Sequence, residues 1–502
     1  MKYNIVNKYI KEQRGSITLF MCMTIMMITS LGFTLIETGR FYGLDAKASF
    51  VTSTVADNTF SEYIKPMWEQ YGILGIDKAH GTDEKGDSFL RERILDFANM
   101  QTMGEVDYFS LNPTEVEIDD YMLLTDNNGE PFIHEAALYY KENLGSELIS
   151  DIGDKSKELS GYEGLNSNVD KMITDGDNAL KNPDSVPKGE SDKEYDVDVS
   201  KVTEEQKRKG EHLVDDVSAF KSKGVLEQVI PSDKEVSSKT FDLANSVSHR
   251  NLEHGNSRNP SKATTVDKVI FSVYLRDKFQ YYGKNLNHSG QEYEIEYIIA
   301  GKDNDTDNLK SIVSRLLAIR EVANFIALYK DPIRNGEALE LSVALAGITL
   351  NPAIIEIVHY ALMAAWAYIE AVLDVRLLLD GGRIMPIKTS AEWTSDLYNI
   401  PACIDENFMA KNSEAGMSYE DYLLTFLVIE PSRDESMRAL DMIETSMNAL
   451  PYYENLKMDH LICDMNMTMN YEGDPMFFSL ITLDVPFLDY YSLKKKEYRS
   501  YL

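Results

Sequence analysis

The sequence predicts an α+β protein carried on one N-terminal transmembrane helix, and three observations lead there. Residues 16–36 read SITLFMCMTIMMITSLGFTLI, 21 residues without a charge, and at about 1.5 Å per residue a helix of that length spans the ~30 Å hydrocarbon core of a bilayer. Beyond it, Phe41, Leu44, Ala48, Val51 and Val55 recur in steps of three and four, so the span is expected to continue outward as a long stem helix with one apolar face. The rest of the chain alternates helical apolar spacing with short strand-like runs, the pattern of a mixed helical and antiparallel-strand ectodomain with a low-complexity insertion.

The lead, residues 1–15, carries Lys2, Lys8, Lys11 and Arg14 against Glu12, whereas Glu37, Arg40, Asp45 and Lys47 cancel on the far side of the apolar run. Excess Lys and Arg stays cytoplasmic, so the lead is expected inside the cell membrane and the bulk outside. The run is longer than the 7–15 residues of a secretory h-region, and the small-x-small triplet Ala46-Lys47-Ala48 lies about ten residues past it, so a retained single-pass anchor is expected. Residues 37–75 form the stem. Gly39 and Gly43 weaken it by roughly 1 kcal/mol each relative to alanine. Their spacing matches a helix-packing motif, although beyond the apolar core. Gly72 has the place of a helix C-cap.

Residues 76–172 form a first body part. Val116, Ile118 and residues 121–124 are strand-like, and Asp126-Asn127-Asn128-Gly129 is a strong turn signal, so a hairpin is expected over 112–133. A helix follows from about Ile133, with Ala136, Ala137, Tyr140 and Leu144 on one side, fading toward Met172. Residues 173–265 are rich in Lys, Glu, Asp, Ser and Asn and poor in aromatics. They bury too little apolar area to offset ordering entropy and are expected as a polar linker or insertion, interrupted by a helix near 204–223.

The C-terminal part, 266–502, opens with Val269, Ile270, Val273 and Tyr274, a helix or strand start. Residues 293–299 alternate like a strand, and Leu309, Ile312, Val313, Leu316, Leu317 and Val322 mark an amphipathic helix. Residues 337–379 are apolar but contain Glu356, His359, Glu370, Asp374 and Arg376. Each central charge costs about 2.5–3.5 kcal/mol on membrane insertion, so these are expected as buried soluble helices, broken at Pro352 and ended by Gly381-Gly382. Helices near 419–429 and 435–447 are followed by strands at 461–471 and 477–485. Met465, Met467 and Met469 alternate onto one face, and Lys494-Lys495-Lys496 is expected in a short basic tail.

Fifty Lys and Arg against 82 Asp and Glu give a net charge of −32. Such a chain repels phosphates, which argues against a nucleic-acid partner and suits a solvated surface. Cys22 lies in the apolar run. Cys403 and Cys463 would both be exported, so a disulfide is open to them but not established. No cysteine pair has zinc-ligand spacing.

His134-Glu135-Ala136-Ala137-Leu138 falls one residue short of HExxH, because Leu138 cannot ligate, and is expected as a polar helix start. Asp303, Asp305 and Asp307 resemble the opening of a calcium loop, but its sixth and twelfth positions are Asn308 and Ser314. Helix capping and dipole compensation are the expected roles. His249 and His254 are expected to be solvated and His359 to be a satisfied core histidine. No phosphate-cradling, dinucleotide or nucleophile-elbow motif occurs. The sequence thus assigns no catalytic, cofactor-binding or metal residues, no cofactor and no small-molecule substrate.

Arg14-Gly15-Ser16-Ile17-Thr18, the apolar run, Glu37-Thr38-Gly39-Arg40 and the small-residue stretch 51–57 together resemble the N-terminal anchor of TadE/TadG-like proteins of tight-adherence (type IV-like) pilus systems. Tyr71-Gly72-Ile73-Leu74-Gly75, Leu124-Thr125-Asp126, Gly301-Lys302-Asp303, Arg320-Glu321-Val322 and Asp421-Tyr422-Leu423 are similar to an uncharacterised Gram-positive family of long single-pass surface proteins. The resemblance implies a non-enzymatic, minor pilin-like or accessory component of a pilus or secretion assembly. Its partners would be the lipid bilayer and pilin-like subunits or other membrane helices. Pilins are cut after a glycine, which marks Gly15 and Ser16 as a processing site; the glutamate pilins carry five residues on is Phe20 here. Two other classes stay open: a surface adhesion or interaction protein sharing only the anchor, and a membrane-tethered hydrolase.

Overall fold

A computed structural model describes residues 2–82, 86–103, 108–141, 159, 161–162, 165–187, 202–257, 263–405, 407–429, 433–477 and 491–502. Its spine is α1 (Lys2–Phe60), one helix of 59 residues that takes in the basic lead, the apolar run and most of the stem. The chain then turns, and α2 (Lys65–Tyr71) starts on Pro66 and stops at Gly72, whose φ of 71° is the left-handed C-cap. The expected stem to residue 75 is therefore two helices.

The sheet stands against the upper part of α1. β3 (Leu461–Gly473) pairs antiparallel with all three other strands: β1 (Ile76–Asp77), β2 (Leu111–Leu123) and β4 (Tyr491–Ser500). Met465, Met467 and Met469 bury on one face, as the alternation predicts, against Leu44, Ala48, Val51 and Val55 of α1 and Leu90, Ile94 and Ala98 of α3 (Ser88–Thr102). The expected basic tail is in fact β4. It climbs α1: Tyr491 meets Phe41, Lys495 pairs with Asp45 at 2.7 Å, Arg499 with Asp57 at 2.7 Å, and Tyr501 packs at a tilt on Phe60. From Glu37 to Phe60 the helix rises ~35 Å, and from Tyr491 to Tyr501 the strand rises ~34 Å, so the two stay in step.

At the far end of the stem lies a helical body: α4 (Asp126–Lys141), α5 (Asn166–Lys181), α6 (Glu204–Lys221), α7 (Val225–Val229), α8 (Thr265–Lys278), α9 (Glu294–Ala300), α10 (Asp305–Lys330), α11 (Pro332–Ala346), α12 (Pro352–Leu379), α13 (Ile400–Cys403), α14 (Tyr419–Ile429) and α15 (Arg433–Asn448). Its centre is α12, buried nearly all round and packed by α5, α6, α10 and α11. Gly176 of α5 permits the closest approach, since a Cβ there would lie 2.0 Å from that of Ala361. The expected buried helices are α11, packed on one face, and α12, buried nearly all round, with Asn351 capping the second.

Several local expectations are corrected. The hairpin over 112–133 is one strand, β2, whose partner is the distant β3; Asn127, Asn128 and Gly129, with φ of 51°, 59° and 76°, form the joint between β2 and α4. Residues 293–299 form the helix α9 and not a strand. Their alternation arises because Glu294 and Glu296 are buried with the apolar residues, the first accepting from Gln280 N at 2.9 Å and the second from Tyr282 N at 2.9 Å and Tyr419 Oη at 2.8 Å. Within 173–265, Ile173, Leu213, Val214, Val217 and Phe220 enter the main core through α5 and α6, and a capping box at Thr203 starts α6. These helices hide one aliphatic stripe behind a charged face. Residues 188–201 and 258–262, the helical spacing expected over 142–158 and the strand expected over 478–485 lie outside the described residues.

Candidate functional site

Among the described residues, α1 is the helix long and apolar enough to cross a membrane. Every Leu, Ile, Met and Phe between residues 17 and 36 is exposed, Met26 and Met27 by more than 70%. The threonines in and beside this run turn inward on their own backbone: Thr24 Oγ1 donates to Phe20 O at 2.8 Å, Thr29 to Ile25 O at 2.9 Å, Thr34 to Ser30 O at 2.9 Å and Thr38 to Thr34 O at 2.7 Å. Such hydroxyls need no water.

The run ends at a junction built from both ends of the chain. Glu37 is buried although it lies one residue past the apolar stretch. Its carboxylate accepts from Tyr491 Oη at 2.9 Å and from Met476 N and Phe477 N, both at 3.2 Å, and faces Arg40 at 3.4 Å. Arg40 spreads its fork over carbonyls, donating from Nε to Tyr108 O at 3.1 Å, from Nη2 to Phe109 O at 2.8 Å and from Nη1 to Asp474 O. A planar guanidinium suits several acceptors at fixed angles. One turn earlier, Phe33 stacks on Phe477 with centroids 4.7 Å apart and planes 13° apart. One turn later, Gly43 admits Phe109, whose ring would lie 2.4 Å from a Cβ there. Of the expected GxxxG pair, only Gly43 packs, because Gly39 has nothing within 4 Å of a Cβ. Gly15 and Ser16 lie within the α1 backbone.

A second polar centre lies buried in the body. Asp374 of α12 accepts from Arg320 Nε at 3.0 Å and Asn324 Nδ2 at 2.9 Å, and pairs with Lys388 at 2.5 Å. Lys388 also reaches Glu370, which accepts in addition from Thr394 N at 3.0 Å and from Ser395 N at 2.9 Å and Oγ at 2.6 Å. Burial opposes ionisation of Asp374, but Lys388 and Arg320 outweigh it and hold the carboxyl below its usual range. The four charges tie α10, α12 and the loop around Lys388 to one another. A cleft of about 290 Å³ beside them is lined by Lys388, Trp393 and Arg334, and another of about 450 Å³ by Tyr281, Tyr282, Tyr419 and Lys234. In the sequence Glu370 and Asp374 read only as charges unfit for a membrane. Arg320 was the available signal, since it stands on the apolar stripe of α10 with Leu316 and Leu317.

The tested motifs keep modest roles. Glu135 is more than a polar helix start: it is buried and accepts from Leu74 N at 2.6 Å, and burial raises its pKa to about 8 despite that bond. Asn304 is the N-cap of α10 and accepts from Asp307 N at 2.8 Å, while Asp305 turns inward to Ser237 Oγ at 2.6 Å, so the three aspartates diverge. His359 Nε2 lies 3.3 Å from Asn335 O in a buried setting. His249 and His254 are exposed. Cys403 and Cys463 are buried free thiols. No group of three His, Cys, Asp or Glu side chains suited to a metal occurs among the described residues.

In comparison with known proteins, residues 203–473 match a family described as a family of unknown function, DUF5702. That stretch takes in α6 to β3 and leaves out α1, β2 and β4. No curated protein and no solved structure matches.

Proposed function

The chain belongs to the DUF5702 family, whose function is unknown, and from its own geometry we propose a single-pass membrane-anchored surface protein without enzymatic chemistry. The observation that carries this reading is the bare apolar half of α1 passing without a break into a half with one face packed on the sheet and α3. A soluble helix would cover such a stripe; a membrane helix presents it to lipid. The charge of the lead supports a cytoplasmic N-terminus with the body outside the cell.

Its role, in this proposal, is that of a minor pilin-like or accessory component of a tight-adherence-like pilus or secretion assembly. The anchor's resemblance supports it, as does a spine helix that carries its body on one side and leaves the membrane half free to pack with other helices. The test has three arms. Alkaline extraction should leave the protein in the membrane fraction. Protease added to cells stripped of wall should degrade the body. Sheared surface fractions should contain the protein together with pilin subunits. Absence from every such fraction removes the assembly role, and protection from protease overturns the orientation. An N-terminus mapped to Ser16 would establish processing after Gly15.

A further inference from the structure

We propose that the body is seated in the outer membrane surface and not merely tethered above it, with Phe477 and Met476 entering the lipid beside Phe33 and with Tyr42 and Tyr108 in the headgroup layer. This rests on the anchor reading above and adds a second lipid-binding surface built by the body itself.

The depth follows from the pinned contacts. If residues 16–36 fill the hydrocarbon core, Phe33 lies about 5 Å inside its edge. Phe477 stacks on that ring, so the chain leaving β3 reaches below the edge. Met476 is fixed one turn above by its amide bond to Glu37, and Tyr108 by its carbonyl bond to Arg40. Within about 8 Å along the helix axis just above this edge, Tyr42 is 69% exposed, Tyr108 77%, Met476 54% and Phe41 37%. Amphipathic rings gather at such a boundary because the ring prefers the acyl side and the hydroxyl the water side.

The polar groups at the level fit the same place. Glu37 accepts from three protein donors and pairs with Arg40, and Arg40 donates to three carbonyls, so neither brings an unmet charge to the lipid. Asp474 is exposed there and can remain among the headgroups. A body held on a flexible tether has no use for pairing a carboxylate with a guanidinium at the exit of the span.

The test places tryptophan at exposed positions of the full-length protein in nanodiscs and measures quenching by two lipids, one brominated near the headgroup end of the acyl chain and one near its far end. Trp68, Trp366 and Trp393 of the parent give the baseline. Met476→Trp and Tyr108→Trp should each lose the added emission when brominated lipid is present. Tyr452→Trp, at a 92% exposed site on the far body, should keep it. Quenching of Met26→Trp with none at Met476→Trp or Tyr108→Trp overturns the seated arrangement and leaves the anchor standing. An unquenched Met26→Trp overturns the anchor itself. The two rim positions lie on separate segments, so misfolding of one variant still leaves the other to decide.

Discussion

The phenol of Tyr491 donates to the carboxylate of Glu37 at 2.9 Å, across 454 positions of chain. The bond joins the first residue of the last strand to the point where the apolar helix meets the body. It makes α1 part of the sheet's core and not an appendage.

Removing that bond should loosen β4 at its lower end. Tyr491→Phe deletes one hydrogen bond to a charged acceptor, worth about 1.5–3 kcal/mol. Glu37→Ala should cost more, since it also strands the amides of Met476 and Phe477 and the charge of Arg40. Hydrogen exchange should speed up in β4, more for Glu37→Ala than for Tyr491→Phe, with α12 unchanged. Equal exchange in both variants and the parent would show that the clamp contributes nothing.

The two stem glycines should respond in opposite directions. Gly39→Ala meets open space and gains about 1 kcal/mol of helix propensity. Gly43→Ala gains the same propensity but drives a methyl into the Phe109 ring, which Arg40 holds through its carbonyl. Thermal unfolding should therefore rank Gly39→Ala above the parent and Gly43→Ala below it. The reverse order contradicts the packing of Phe109 on α1.

The buried charges should be costly to break and cheaper to replace together. Asp374→Leu leaves Arg320 and Lys388 facing each other, and breaking a buried pair costs about 3–5 kcal/mol. The double change Asp374→Leu with Arg320→Met should recover part of that loss. Chemical denaturation of the four members of the cycle measures it, and additive costs would show that the pair is uncoupled.

Stability should fall between mildly acidic and mildly basic pH through the buried glutamates. Burial raises Glu135 to about 8, and Glu296 and Glu321 to about 7, from the ordinary 4.5. Each then holds a proton in the folded state that the unfolded chain has released, so its contribution is fully kept below 4.5 and lost as pH rises through the folded value. Glu135→Gln keeps an acceptor for Leu74 N and removes the titration. Its denaturation midpoint should decline less than the parent's between pH 5 and 8; parallel declines would rule Glu135 out.

The two body cysteines should resist alkylation until the protein unfolds. Burial raises the Cys403 thiol to about 11 and holds that of Cys463 well above its ordinary range, so little thiolate forms at neutral pH. Iodoacetamide should modify both only in denaturant, and a non-reducing peptide map should show them unlinked. Rapid modification of Cys463 in the native protein would contradict its place in β3.

Some of this was legible without coordinates. Of the 3-4-3-4 spacing from Phe41 to Val55, the positions from Leu44 on do face a core, because a helix repeats every 3.6 residues whatever it packs on, whereas Phe41 stays exposed. The alternating methionines of β3 do share a buried face for the corresponding reason. The errors share a cause too. The turn signal at Asn127-Asn128-Gly129 is real left-handed backbone, but a strand pairs with what the tertiary fold brings beside it, and that was β3. Glu294 and Glu296 imitated a strand because their partners, Tyr282 and Tyr419, are remote in sequence and keep them inside.

The sequence by itself determined the apolar run, its charge asymmetry, most of the longer helices and the burial of α12, because each depends on residues within a few turns of one another. Only the tertiary structure decided that Lys388 and Arg320 neutralise Asp374, that β4 climbs the stem, and that Glu37 is buried under Tyr491. These arrangements depend on which distant surfaces meet. A local pattern records whether a face is apolar, but not which partner will cover it.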